Sequence, residues 1–424
     1  MMNKYVKDYG VQKDSYELQT EKIQHAIDDC AEQGFELVFE KGVYRTGTLF
    51  LRNNSKIVLE ENAVISGSDC IEDYPDNDAS FVDAVEQRRG KTLILAHKAE
   101  NVSVTGSGEI CGNGGEFSED TRPFLVRVVE SNHVKIDGVR LTKAAAWCLH
   151  INNCTHVDIK NITIDSRVND NNDGIDIDSS DNVNVENCHI MSGDDGICLK
   201  ATSDRPCKNI FVKNCKVSSG WAGFKIGTES VGDFSHIRVS GCYFYDILGG
   251  GIKIVPTDGA NVKDVKISDI QMENCTGPIF IALGERLRSY AGIGKDTLST
   301  IENVCIENVT ADAVSAPVRG TYLGQIWGNA KGGIIISGTK KNPIKNLSLR
   351  NIKASLPGGV TERIKDEVPY IGEKYPEFHM MDIVPAKGIY MRDVDGATLE
   401  NIQLSFKEAD NRDVQFFENV IYDC

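Results

Sequence analysis

No stretch of the 424-residue chain approaches 18 consecutive apolar residues, so a transmembrane helix is excluded. Positive charge is in deficit. Forty-six Lys and Arg against 62 Asp and Glu leave a net charge of −16 at pH 7, which excludes a mainly electrostatic grip on nucleic acid or on an anionic membrane. A polyanionic substrate would need a local basic patch. The 13 cysteines are odd in number and contain no CxxC pair, so neither a disulfide framework nor a zinc knuckle is expected. They are expected to be reduced and packed inside a core. No EF-hand, P-loop or dinucleotide fingerprint occurs, so no metal and no cofactor is expected. The opening residues Met1 to Gly10 lack the apolar core of a signal peptide, which predicts a cytoplasmic protein, or a secreted one if a leader preceded this start.

What is present is a folded composition, 41% hydrophobic and 25% charged, in a chain longer than one globular core usually organises. A repeat resolves the length. A short phrase returns at His133-Val134-Lys135-Ile136, His156-Val157-Asp158-Ile159, Asn182-Val183-Asn184-Val185, Asn209-Ile210-Phe211-Val212, His236-Ile237-Arg238-Val239 and Asp264-Val265-Lys266-Ile267, in steps of 23, 26, 27, 27 and 28 residues. Each unit carries runs of alternating apolar and polar residues broken by Gly, Asn, Asp and Ser, the pattern of short strands and turns. Stacked coils of this kind form an all-β, right-handed parallel β-helix with a continuous apolar column inside. A two-sheet sandwich is disfavoured because similar residues, such as the pairs Asn153-Cys154, Asn187-Cys188, Asn214-Cys215 and Asn274-Cys275, return in successive units.

The N-terminal segment has a different period. Ile23, Ala26, Ile27, Cys30 and Ala31 form one apolar stripe after Thr20, a candidate N-cap, and before Gly34, predicting an amphipathic helix that caps the exposed end of the solenoid. The expected organisation is effectively one domain: a cap over 1–75, then a β-helix over 76–424 with loop insertions near 310–335 and 355–385. Insertions of that length are usually functional.

Four consecutive coils contain a strand opening with glycine, at Gly174-Ile175-Asp176-Ile177, Gly196-Ile197-Cys198-Leu199, Gly223-Phe224-Lys225-Ile226 and Gly251-Ile252-Lys253-Ile254. Alternation puts Ile175, Ile197, Phe224 and Ile252 in an interior row and Asp176, Cys198, Lys225 and Lys253 in an exterior one. Asn172-Asp173, Asp194-Asp195 and Trp221-Ala222 stand just before three of these glycines. Crowded carboxylates repel, so one tends to hold a proton while another stays ionised, the requirement of glycoside hydrolysis. The lysines could hold a substrate carboxylate and offset the acids.

These residues resemble the pectin-degrading glycoside hydrolases of family 28, polygalacturonases and rhamnogalacturonases. The resemblance includes Gly10-Val11 with the helix, Gly42-Val43-Tyr44, Gly106-Ser107-Gly108-Glu109-Ile110 and Trp147-Cys148-Leu149-His150. Its most specific part is Asn172-Asp173-Gly174 followed one coil later by Gly193-Asp194-Asp195. It implies an inverting glycosidase acting on galacturonan or rhamnogalacturonan oligosaccharides, with Asp194 as general acid and Asp173 and Asp195 holding and deprotonating the water. For inversion the carboxyl groups of Asp173 and Asp194 are expected about 6.5 to 9.5 Å apart. Exo action is expected, since a cytoplasmic enzyme meets imported fragments. Asn172, Asp176, Lys225, Lys253, Trp221 and Glu229 complete the candidate site as substrate contacts, Trp221 by stacking on a sugar face.

Two departures from the polygalacturonase pattern stand out. Ala222-Gly223 replaces a His-Gly, and Gly251-Ile252-Lys253 replaces an Arg-Ile-Lys. Both argue against ordinary endo action, and rhamnogalacturonan-cleaving relatives also lack that histidine. Lys225, with the segment from Tyr375-Pro376-Glu377 to Val384-Pro385-Ala386, looks like a bacterial branch of the family. Three other functions stay open on this scaffold: a polysaccharide lyase, a neutral-sugar glycosidase and a non-catalytic carbohydrate-binding β-helix. The expected partner is an oligosaccharide, with no nucleic acid and no membrane, and the sequence leaves the oligomeric state open. His133, His156 and His236 recur at one point of the coil and are expected at turns.

Overall fold

The computed structural model describes residues 2–83, 88–117, 122–315, 317–319, 326–329, 333–361, 368–381 and 383–423. Parts of both expected insertions, at 316, 320–325, 330–332, 362–367 and 382, lie outside the described residues. The chain divides into two compact units, Met1–Asp194 and Asp195–Cys424, each a stretch of right-handed parallel β-helix. Among the described residues, antiparallel pairing is confined to Phe81–Val82 with Arg88–Arg89, Pro317–Arg319 with Ile326–Asn329, and a bridge between Tyr290 and Ile293. A sandwich would be antiparallel throughout.

The repeated phrase is the register of the solenoid. In the first unit Val102, Val134, Val157 and Val183 stack as one inward column, and Val104, Ile136, Ile159 and Val185 as the next. In the second, Ile210, Ile237, Val265, Val304 and Leu347 do the same. All of these side chains are buried. Parallel stacking at about 4.8 Å places each apolar side chain on its equivalent one coil away, so the column needs only β-branched residues or leucine at a fixed phase.

The polar residue that opens each phrase turns the chain through a left-handed corner. His133, His156, Asn209 and His236 all have φ of +54°, and Asn182 and Asp264 are close to it. The histidines are turn residues, with the His133 and His156 rings stacked at 4.8 Å. Asn and Asp tolerate this region better than other non-glycine residues, and their amides ladder from coil to coil. At this corner Asn303 donates to Asp264 at 3.2 Å and Asn346 to Asn303 at 2.9 Å; at the next corner Asn308 donates to Asp269, Asn351 to Asn308 and Asn401 to Asn351, each at 2.9 Å.

The Asn-Cys pairs are not all one rung, contrary to expectation. Asn214-Cys215 stacks with Gly241-Cys242, whose glycine approaches the Asn214 amide. Asn274-Cys275 pairs instead with Asp246-Ile247, and Asn153-Cys154 with Ser179-Ser180. The same dipeptide recurs because each of these corners needs one residue with positive φ followed by a small inward side chain. The described cysteines are free thiols, most of them buried.

The N-terminal helix runs Thr20–Gln33, with Gln19 as N-cap and Gly34 closing it at φ +72°. Thr20 is thus the first helical residue, and its hydroxyl accepts the Gly47 N–H at 2.8 Å. The expected stripe, Ile23, Ala26, Ile27, Cys30 and Ala31, is the buried face.

Candidate active site

In the first unit, Asn172 organises the turns that carry Asp173 and Asp194. Its Oδ1 accepts the N–H groups of Val168 and Asn169 at 3.0 and 2.9 Å, and its Nδ2 donates to the carbonyls of Ala144 and Ala146 at 2.9 Å each. Every hydrogen bond that the amide can make is used on backbone. The Asn172 carbonyl also accepts the N–H groups of Gly193 and Asp194 at 3.1 and 3.3 Å. One fully buried asparagine therefore ties the turn carrying Asp173 to the turn carrying Asp194. Asn172, expected as a substrate contact, has no exposed surface.

Asp173 is buried and Asp194 half-buried. One carboxylate oxygen from each lies within 4.8 Å of the other. Stacking supplies the reason, since positions one coil apart are held near the inter-strand spacing. Asp176 points outward, opposite His150 on the preceding coil, yet has no exposed surface. One coil further back the same row carries Arg127, which lies over the Phe81 and Phe124 rings at 5.0 and 4.8 Å and donates to His150 Nδ1 at 3.3 Å.

The second unit opens with Asp195 and carries the cations. The expected register holds there, with Ile197, Phe224 and Ile252 inward and Cys198, Lys225 and Lys253 outward. Glycine opens these strands because a Cβ at Gly223 would meet the Gly251 carbonyl at 2.9 Å, and one at Gly196 the Val217 side chain at 2.3 Å. The outward row was expected to face solvent. It is buried instead, because Trp221, Phe280, Ile335 and Tyr390 on the coils pack with Val368, Ile371, Met381 and Val384 from the late insertion as one apolar cluster.

Under that cover the charges pair. Lys225 Nζ contacts Asp195 Oδ2 at 2.7 Å and donates to the Tyr375 hydroxyl at 2.9 Å, and Asp195 Oδ1 accepts the Ala222 N–H at 3.2 Å. Lys200 pairs with Glu229 at 2.7 Å. Lys253 pairs with Glu377 at 2.5 Å, and the Trp221 indole N–H donates to the other oxygen of Glu377 at 2.8 Å. Burial pushes the Asp195 carboxyl up, but Lys225, Lys200 and Lys253 outweigh it and hold the group below its ordinary range. Burial opposes the charge on Lys225 as well, and Asp195 more than restores it, leaving the ammonium well above its usual value. Lys253 lies below its usual value, through burial and the repulsion of Lys225 against the pull of Glu377. Burial pushes the Tyr375 phenol up to about 12.

Of the expected substrate contacts here, Lys225, Lys253 and Glu229 are all buried in ion pairs. Trp221 is 9% exposed, with the Lys253 ammonium 5.5 Å from its ring centroid. Lys200 is not among the expected site residues, and Tyr375 and Glu377 are expected only as part of a branch-specific segment, not as partners of the lysines. Lys200 lies within the strand Ile197–Ala201, two residues after Cys198 and so on the same outward face, where alternation alone would place it. Glu377 comes from 124 residues beyond Lys253, and nothing local marks it as a partner.

A family model for glycosyl hydrolases family 28 matches residues 76–366. Among curated proteins, the probable polygalacturonase of Vitis vinifera is 26% identical over 293 residues, covering 63% of this chain and 60% of its own. The putative galacturan 1,4-alpha-galacturonidase A of Aspergillus niger is 22% identical, covering 80% of this chain and 85% of its own. The chain thus spans about three fifths of the grapevine protein's length. Among solved structures, the Family 28 exopolygalacturonase of Yersinia enterocolitica aligns with a TM-score of 0.78 at 17% identity, covering 99% of this chain and 77% of that one, a likeness of fold. The family match takes in well over half of the chain, including Asn172-Asp173-Gly174, Gly193-Asp194-Asp195 and the glycine-opened strands, and by it the chain belongs to glycosyl hydrolases family 28.

Proposed function

We propose that this chain hydrolyses glycosidic bonds in pectin-derived oligosaccharides, removing units from a chain end, with Asp194 as general acid and Asp173 and Asp195 holding and deprotonating the water. The observation that carries the reading is the pair Asp173 and Asp194, with carboxylate oxygens within 4.8 Å of each other and only Asp194 partly open to solvent. Two carboxylates that close favour holding one proton between them, and the more accessible one is suited to deliver it to a leaving oxygen. Asp195 is suited to the opposite task, because the lysines around it keep it ionised. Lys225 thereby acts as a positioning residue for a general base.

Exo action is supported by the departures at Ala222 and Gly251 and by the galacturonidase relative. Inversion rests on the family resemblance. Incubation with defined pectic oligosaccharides, with products followed by mass, tests the activity. Stepwise loss of single sugars supports it. Products absorbing in the ultraviolet would mark a lyase, and binding without products a non-catalytic protein. Proton NMR of the first-formed anomer decides the stereochemistry.

A further inference from the structure

Both lysines that the register aligns to receive a uronate are already occupied from within the protein. Lys253 has no exposed surface, and its ammonium sits on Glu377, which is equally buried. The second oxygen of Glu377 is held by Trp221. Lys225 is committed to Asp195 and Tyr375. Across Asp195, Lys225, Lys200, Glu229, Lys253 and Glu377, three positive and three negative charges pair one to one.

Glu377 is anchored in this place. Val368 and Ile371 before it and Met381, Val384 and Ala386 after it are buried in the apolar cluster with Trp221, Val255 and Phe280. Moving Glu377 off Lys253 would pull apolar side chains from that cluster and leave a buried carboxylate and a buried ammonium without each other, both costly. A substrate carboxylate arriving at Lys253 would also meet Glu377 as a like charge in a poorly solvated setting.

We infer that Glu377 is a specificity-determining residue that neutralises Lys253 and closes it to a substrate carboxylate, so the sugar seated at the exposed edge of Trp221 is one without a carboxylate. This rests on the glycosidase reading and narrows it: the substrate is pectin-derived, but the unit recognised at this subsite is uncharged. Glu377 supplies internally the negative charge that a uronate would bring.

Isothermal titration of the Asp194→Asn protein with trigalacturonate and with its carboxyl-reduced counterpart tests the inference, because binding is read without turnover. The reduced ligand should bind at least about tenfold more tightly, a difference of ~1.4 kcal/mol, and adding Glu377→Gln, which keeps size and shape, should reduce or reverse that ratio. The ratio of two ligands on one sample is insensitive to the fraction of protein folded, and the first measurement needs no change at Glu377. Tighter binding of the acidic ligand before Glu377 is altered would overturn the inference, as would an unchanged ratio after Glu377→Gln, or failure of both ligands to bind. The glycosidase reading fails separately, when the unsubstituted protein releases no product from the oligosaccharide panel.

Discussion

Replacing Lys225 with Met keeps most of the side-chain length and removes the charge that faces Asp195. At 2.7 Å and an effective dielectric of about 20, the attraction is worth roughly 6 kcal/mol. The two side chains are 1% and 3% exposed, so water does not take over the lost contact. Lys200 and Lys253 still act on Asp195 and recover part of it. The expected loss at pH 7 is that of breaking a buried pair from one side, about 3–5 kcal/mol. Acid separates charge from packing. Asp195 has a folded pKa below its ordinary 3.8, so the stabilisation is present above about pH 4 and lost as pH falls through the folded value. In the variant the stranded carboxylate takes up a proton on acidification, and the penalty for burying it disappears. Urea titrations should therefore show the destabilisation shrinking to about 1–2 kcal/mol near pH 4. At pH 7 the double variant Lys225→Met/Asp195→Asn should be more stable than Lys225→Met alone. An equal loss at both pH values would refute the argument, because it would mean that Lys225 acts only by filling space.

Three further outcomes are expected. Asp194→Asn should leave the denaturation midpoint nearly unchanged, since Asp194 is half-buried, while lowering kcat on an oligogalacturonate by at least about 100-fold, the usual worth of a general acid; a near-normal rate on a substrate with a poor leaving group would remove it from that role. Asn172→Ala should cost about 2–4 kcal/mol in urea, because it takes the partner from two backbone N–H groups of a half-buried turn and from the carbonyls of the buried Ala144 and Ala146, and should lower kcat more than it raises KM; an effect on KM alone would return Asn172 to substrate binding. Asn351→Leu should cost about 1–2 kcal/mol, because Asn351 has φ of +52° and L side chains without a local hydrogen bond strain there, whereas Asn351→Gly should cost less; equal costs would assign the effect to the amide ladder.

The sequence by itself determined the coil. The period, the inward columns from Val134 to Val183 and from Ile210 to Val265, the corners at His133, His156 and His236, and the outward row of Lys225 and Lys253 were all legible, because stacking repeats one local pattern and alternation within a strand decides which way each side chain points. Asp173 and Asp194 were legible for the same reason, lying in equivalent turns about one coil apart. The corner assignments of Asn153-Cys154 and Asn274-Cys275 were not, since every corner asks for the same two residue types. Tertiary structure alone decided what covers the outward row and which charge neutralises which. Whether an outward lysine meets solvent, substrate or a carboxylate depends on the segment lying over it, and Glu377 arrives from 124 residues away, on a stretch with no period to register it. A strand fixes the direction of its side chains locally, but the desolvation and pairing of a charge are set by whatever the rest of the chain brings against it.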